Sequence, residues 1–355
     1  MTDKYDLLSM NEEELIAFFA TLGEPRFRAK QVFPKLHEGV AIEDMTSLSK
    51  KLRETLRDIT LDTLPRVCEK YVSRIDGTIK YLFELHDGEC VESVFMRYKH
   101  GNTLCISSQV GCLMGCKFCA STLLGKVRNL LPSELLGQVI AANLDTGERV
   151  SNIVMMGIGE PLDNFDNVVK FLELVNHPSG LNIGYRHISL STCGVVPGIM
   201  KLAEVDLPIT LSISLHASTD EKRTAIMPVN KKWNIAALLD ACRKYYLTTE
   251  RRISFEYTLL SGKNDTDADA RELATLLKNA FRGTGAPLHV NLIRVNEVEE
   301  TEFTAGTEDS AYRFRDTLER LGVVATVRRR LGSDINAACG QLRRASMKKQ
   351  KETEG

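Results

Sequence analysis

From about Gly101 onward, short apolar runs alternate with amphipathic stretches, and this alternation restricts the fold more than any other feature of the chain. Strands are expected over 103–107, 152–156, 187–191, 209–215, 252–259 and 289–293. Helices are expected near 133–144, 164–176, 197–205, 234–247 and 268–281, with a further helix over 309–321 and a last strand over 323–327. Neighbouring parallel strands need a long crossover, so six βα units in series predict a parallel sheet. The natural form is a closed or partly closed barrel with its chemistry on the loops that follow the strands; an open doubly wound sheet is the alternative.

Residues 1–97 read as a different module. Asn11 and Glu14 form a capping-box pair ahead of the apolar stripe Leu15, Ile16, Phe18, Phe19 and Leu22. A second helix is expected over 26–37, bent or shortened by Pro34, and a third through Leu52, Leu56 and Ile59 after Thr46-Ser47. The pattern then becomes strand-like over 67–73 and 78–85, around the hairpin signal Asp76-Gly77, with another strand over 91–97. The expected division is an accessory module over 1–97, a core over 98–331 and a polar tail over 332–355.

The charged N-terminus and the lack of an 18-residue apolar run predict a soluble, intracellular protein without a membrane partner. A net charge of −1 means that any polyanion-binding surface must be local. Basic residues cluster at Arg328, Arg329, Arg330, Arg343 and Arg344. Arg26, Arg28 and Lys30 form a second candidate surface in an otherwise acidic module.

Nine cysteines on such a chain point to metal ligation, catalysis or burial rather than to a secreted disulfide framework. Three of them, Cys112, Cys116 and Cys119, fall within eight residues just after the first core strand, with Gly111 and Gly115 letting the backbone wrap closely. A structural zinc site wants four ligands, often as two pairs, and no second pair is present. Three thiolates suit a four-iron cluster with one iron free of protein ligands. Cys68, Cys90, Cys193 and Cys242 read as isolated packing residues. Asp265-Thr266-Asp267 reads as a helix cap, not an ion site.

The Cys-x-x-x-Cys-x-x-Cys spacing, with an aromatic residue before the last Cys, resembles the radical S-adenosylmethionine (SAM) superfamily. The segments around Cys105–Cys112, Met155–Leu162, Ser191-Thr192, Ser214–Ala217, His289–Ile293 and Asp334–Leu342 resemble the RlmN type of dual-specificity RNA methyltransferase. That resemblance implies a partial (βα)6 barrel of the radical SAM kind, with an N-terminal accessory domain and a C-terminal catalytic loop. It implies one 4Fe-4S cluster on Cys112, Cys116 and Cys119, and two SAM molecules consumed per methylation. Gly159, Glu160, Ser191, Ser214, Leu215, His216 and Asn291 would bind SAM. The implied partners are 23S ribosomal RNA, transfer RNA and an external one-electron reductant, and the implied setting is a cytoplasmic monomer.

The resemblance also assigns a relay. Cys339 would receive a methyl group from a first SAM. Adenine C2 is electron-poor and does not attack a sulfonium methyl, whereas a thiolate does. A 5′-deoxyadenosyl radical from a second SAM would then take hydrogen from that methyl group, and the carbon radical would add to C2. Glu92 would accept the C2 proton, and Cys105 would release the RNA by closing a disulfide with Cys339. The adenine must leave its stack to reach such a site. Two other readings remain at this stage. One is the sister type that methylates C8, which the run Leu292-Ile293-Arg294 resembles although Pro161 does not. The other is a non-catalytic, metal-stabilised RNA-binding protein.

Overall fold

The computed structural model describes residues 4–123, 125–295 and 303–335. Three helices come first: α1 (Glu12–Thr21), α2 (Phe27–His37) and α3 (Lys50–Ile59). Asn11 and Glu14 cap α1 reciprocally, as expected. The cap of α3 is Ser49, whose hydroxyl accepts from the Leu52 N–H. Helix α2 runs through Pro34 to its expected end, because Ala29, Val32, Phe33 and His37 are all buried along it. That burial outweighs the one backbone bond Pro34 cannot make.

Strands β1 (Arg66–Val72), β2 (Ile79–Glu84) and β3 (Cys90–Tyr98) form an antiparallel meander. Strand β4 (Gly101–Cys105) then pairs antiparallel with β3, setting Val94 opposite Cys105. A small separate ribbon joins β5 (Gln109–Gly111) to β6 (Lys126–Asn129). After it come α4 (Pro132–Thr146), β7 (Val150–Met155), α5 (Phe165–Asn176), β8 (Ile188–Thr192), α6 (Val196–Val205), β9 (Thr210–Ser214), α7 (Asp220–Ile226) and α8 (Ile235–Thr249). The chain continues through β10 (Ile253–Leu259), α9 (Asp267–Ala280), β11 (His289–Arg294), α10 (Glu308–Arg320) and β12 (Val324–Val327). From β4 to β12 every neighbouring pair is parallel.

The result is one ten-stranded sheet, ordered β1-β2-β3-β4-β7-β8-β9-β10-β11-β12, whose parallel part is the partial barrel. The meander of the N-terminal region is therefore continuous with the barrel sheet. Its helices share the same apolar core, with Phe19 and Phe33 in one cluster with Leu136, Ile153 and Leu190.

One buried amide fastens the junction. Gln138 on α4 accepts through Oε1 from the Ser93 hydroxyl (2.8 Å) and the Ser107 N–H (2.9 Å), and it donates through Nε2 to the Ser107 carbonyl (3.0 Å). The Ser107 hydroxyl in turn donates to the Glu92 carbonyl (2.6 Å). Replacing Gln138 by leucine keeps the volume and strands several buried polar groups. Each such group costs about 1–3 kcal/mol, so Gln138→Leu is expected to lower the urea midpoint by an amount equivalent to roughly 2–4 kcal/mol.

His37, at the last turn of α2, is 4% exposed, and neither ring nitrogen has a hydrogen-bond partner among the described residues. Burial, helped by nearby His177, lowers its pKa to about 4. The unfolded chain protonates this ring near 6.5, so it binds the proton before the folded chain does. Stability is then lost as pH falls from about 6.5 toward 4, by roughly 2 kcal/mol at pH 5. Denaturant titrations at pH 5 and pH 7.5 should show that difference, and His37→Leu should reduce it.

Candidate active site

The barrel strands end on one cavity of about 340 Å³, a size typical of cofactor sites. Its lining includes Cys105 at the end of β4 and Cys112, Cys116 and Cys119 from the following loop. Gly159 and Glu160 come from the loop after β7, Ser191 and Cys193 from β8 and its loop, Ser214 and His216 from β9 and its loop, and Arg328 from beyond β12.

The cysteine loop is shaped by close backbone contacts. Gly111 has φ 77°, and a Cβ there would fall on the Gly125 carbonyl oxygen, so only glycine fits where the ribbon turns into the loop. Gly159 has φ 106°, and a Cβ there would lie 2.7 Å from the Gln109 nitrogen. Phe118, the aromatic residue before Cys119, packs edge-on against the His216 ring at 4.9 Å.

Burial pushes the Cys112 thiol up to about 11 and that of Cys116 further still, with the neighbouring thiols adding to both. Such thiols ionise only when a cation compensates them, as an iron–sulfur cluster does. Tetrahedral zinc, with bonds of about 2.3 Å, would hold its sulfurs only about 3.8 Å apart. Among the described residues the set of three ligand atoms within 4.8 Å of one another is His86, Asp87 and Glu134, so the three thiols are spread more widely than that. Arg128 already occupies the His86 group, donating to Glu134 and Asp87. The three thiols therefore fit a multi-iron cluster better than a single ion.

Glu160 is buried, and its carboxylate pKa is raised by that burial. Its Oε2 accepts from the Cys193 N–H (2.7 Å) and its Oε1 from the Leu162 N–H (3.0 Å). His216 has φ 57°, a left-handed conformation costing a non-glycine residue on the order of 1 kcal/mol. Its Nδ1 accepts from the Thr258 N–H (2.9 Å) and its carbonyl from Asn264 Nδ2 (2.8 Å). Burial lowers its pKa to about 3, so the ring is neutral and carries its proton on Nε2.

Three expected site residues do not line this cavity themselves. The Leu215 side chain belongs to the apolar core. Its N–H donates to the Glu256 carbonyl and its carbonyl accepts from Arg223. Asn291 does not line this cavity but an adjoining one, where its Nδ2 donates to Glu256 Oε2 (2.7 Å). Glu92 is buried on the same side of β3 as the cavity residues Val94 and Met96, 3.7 Å from the buried Lys80 ammonium. Cys339, Arg343 and Arg344 lie outside the described residues.

Arg328 faces inward rather than toward solvent, with Nη1 3.7 Å from Met156 Sδ, while Arg329 and Arg330 are exposed at the cavity rim. Burial raises the Cys105 pKa, while the Arg328 charge and the Met156 N–H act in the opposite direction. In the N-terminal region Arg28 is engaged with Glu24 (3.1 Å) and the Ser47 carbonyl, whereas Arg26 and Lys30 are exposed.

Several site residues were not anticipated. Cys193, read as an isolated packing residue, lines the cavity. Cys68 is exposed and Cys90 half-buried, so neither is a core residue. Arg223 is wholly buried and donates to the carbonyls of Cys193 (2.6 Å), Ser214 (3.1 Å) and Leu215 (3.1 Å). Glu256 lies inside the barrel, bonded to Asn291 and Ser254. The alternation Ser254, Glu256, Thr258 along β10 is a readable sign of an inward polar face.

Comparison with known proteins agrees with this geometry. Residues 106–276 match the model of the radical SAM superfamily, and residues 5–61 match that of the ribosomal RNA large subunit methyltransferase N-terminal domain. The chain is 52% identical over 343 residues to a probable dual-specificity RNA methyltransferase RlmN of Alkaliphilus oremlandii, covering 96% of this chain and 98% of that one. It is also 52% identical over 345 residues to a protein of the same description from Clostridium perfringens, covering 97% and 98%. The crystal structure of a radical SAM methyltransferase from Sphaerobacter thermophilus superposes with a TM-score of 0.89 at 40% identity, covering 95% of this chain and 98% of that one. The chain belongs to the radical SAM superfamily and, within it, to the RlmN family of RNA methyltransferases.

Proposed function

We propose that this chain methylates C2 of adenosine in 23S ribosomal RNA and in transfer RNA, as a cytoplasmic monomer supplied with electrons by an external one-electron reductant. No helix among the described residues is long and apolar enough to cross a membrane. The observation that carries the reading is that one cavity is lined by Cys105, by the three clustered thiols and by polar groups from several strand ends.

Cys112, Cys116 and Cys119 would hold one 4Fe-4S cluster, leaving an iron corner for SAM. When bound there, cluster and SAM supply radical hydrogen abstraction, two SAM molecules being used for each methyl group delivered. Gly159 and Glu160 would receive the SAM ammonium. Ser191, Ser214 and the Nε2–H of His216 offer hydrogen bonds to the rest of the molecule. Leu215 contributes the strand end it buries, and Asn291 acts from beneath, oriented by Glu256.

Cys339 would accept the methyl group on sulfur and carry it to C2. Glu92 would take the C2 proton, its carboxylate being buried in the strand beside Cys105. The Cys105 thiolate would then attack the Cys339 sulfur. Once the adduct has also given back one electron to the one-electron donor system, a sulfur–sulfur bond forms, the bond from Cys339 sulfur to the transferred carbon breaks, and that carbon takes the electron pair and a proton to complete the methyl group. Arg329 and Arg330, exposed at the rim, would meet RNA phosphates, while Arg328, which faces inward, would serve the cavity interior.

Anaerobic holoenzyme incubated with unmodified RNA and methyl-labelled SAM should give labelled 2-methyladenosine on digestion and mass spectrometry. Finding 8-methyladenosine would move the reaction to C8. The purified protein should be brown with about four irons per chain; a colourless protein with one zinc would overturn the reading. Cys339→Ala is expected to abolish RNA methylation at unchanged iron content. Cys105→Ala is expected to accumulate RNA covalently joined to the protein, visible as a shifted band on denaturing gels.

A further inference from the structure

The β1–β2 hairpin turn grips the start of the C-terminal tail. The Ser73 hydroxyl donates to Asp334 Oδ1 (2.6 Å), and the Arg74 N–H donates to Asp334 Oδ2 (2.8 Å). The Gly332 N–H donates back to Asp76 Oδ2 (2.9 Å). These three bonds join segments some 260 positions apart in sequence, and they link the two flanks of an open sheet, since β1 and β12 are its outermost strands.

The grip is rigid on the hairpin side. Ser73 Oγ also accepts from the N–H groups of Ile75 (3.2 Å) and Asp76 (3.3 Å), and Asp76 Oδ1 accepts from the Thr78 N–H (2.9 Å). Arg97 donates to the Gly77 carbonyl (2.5 Å) and, with two nitrogens, to Glu148 on the barrel side, so the turn is fixed to the body. On the tail side, Arg328, Arg329, Arg330 and Leu331 line the cavity that contains Cys105. The chain thus passes from the cavity rim directly into the grip.

Cys339 follows Asp334 by five positions, and five residues span at most about 18 Å. A fixed point at Asp334 therefore shortens the chain between the last held residue and Cys339 to five residues, against eight counted from Leu331. Confinement raises the effective concentration of one reacting group near another.

We infer that Asp334, held by Ser73 and Arg74 and seconded by Asp76 on Gly332, is a positioning residue that keeps the methyl-carrying thiol within reach of the barrel mouth. The inference rests on the proposed role of Cys339. Asp334 and Asp76 touch no reacting atom; they act through the path of the chain. Removing the grip should leave the cluster and RNA binding intact and slow only the steps that need Cys339 at the cavity.

The test uses reconstituted holoenzyme in the Cys105→Ala background, with SAM, reductant and unmodified RNA, and reads the rate of protein–RNA crosslink formation on denaturing gels. Adding Asp334→Ala should slow crosslinking at least tenfold, with iron content and the RNA binding curve unchanged. Asp334→Asn keeps one acceptor and should recover part of the rate. Asp76→Asn, acting on the Gly332 end, should give a smaller loss. In the otherwise wild-type enzyme, Asp334→Ala should lower kcat at constant KM for RNA. Equal crosslinking rates with and without Asp334→Ala would overturn the grip alone. No crosslink even with Asp334 present would remove the role of Cys339, and this inference with it.

Discussion

The pairing of β3 with β4 is the contact on which the rest depends. Strand β4 opens the barrel, and without a partner on its outer side it would present a row of unpaired backbone groups. Strand β3 fills that side, and its register sets Val94 against Cys105. Through the same pairing Glu92 is drawn to the barrel, its carbonyl held by the Ser107 hydroxyl, while Gln138 fixes Ser93 and Ser107 together. A residue of the N-terminal meander and a residue of the barrel thus share one buried neighbourhood.

Buried charge then organises the mouth. Arg223 gathers the carbonyls at the ends of β8 and β9, and Glu160 gathers the N–H groups of Leu162 and Cys193 from the facing loops. A cation bound to carbonyls and an anion bound to amides lock the loops that surround a cofactor. In a low-dielectric interior these bonds are stronger than they would be in water, and leaving either charge unpartnered would be costly. His216 adds a neutral donor whose ring is clamped by Thr258 and Phe118. The site is preorganised by buried groups whose hydrogen bonds fix the loops around it.

Much of this was legible in the sequence because the strands carry a strong period. The seven parallel strands and their long helices fall within a few residues of the expected positions, and Asp76-Gly77 turns the hairpin as its composition requires. The misses have physical causes. Helix α7 is seven residues capped by Thr219 and mostly polar, too short for a helical stripe to declare itself. The β5–β6 ribbon has three or four residues per strand and is set by the geometry of Gly111 rather than by apolar patterning. Leu215 stands in a motif whose side chain serves the core while its backbone serves the strand end. Asn291 donates to Glu256 and lines the adjoining cavity, a partnership the sequence pattern does not show. Arg223 gave no signal, since a charged residue on a short helix reads as solvent-facing until the fold closes over it.

The outermost strands of the sheet, β1 and β12, are connected by side chains from a turn and not by a backbone ladder. A ladder that parts leaves a sticky edge able to recruit any passing strand. A seam of carboxylates, hydroxyls and amides leaves hydrated groups behind, although β1 also exposes Val67, Tyr71 and Val72 beside Arg66 and Lys70. The sheet is therefore closed at one point by polar side-chain bonds rather than sealed along its length, which sets it apart from a barrel laddered all the way round.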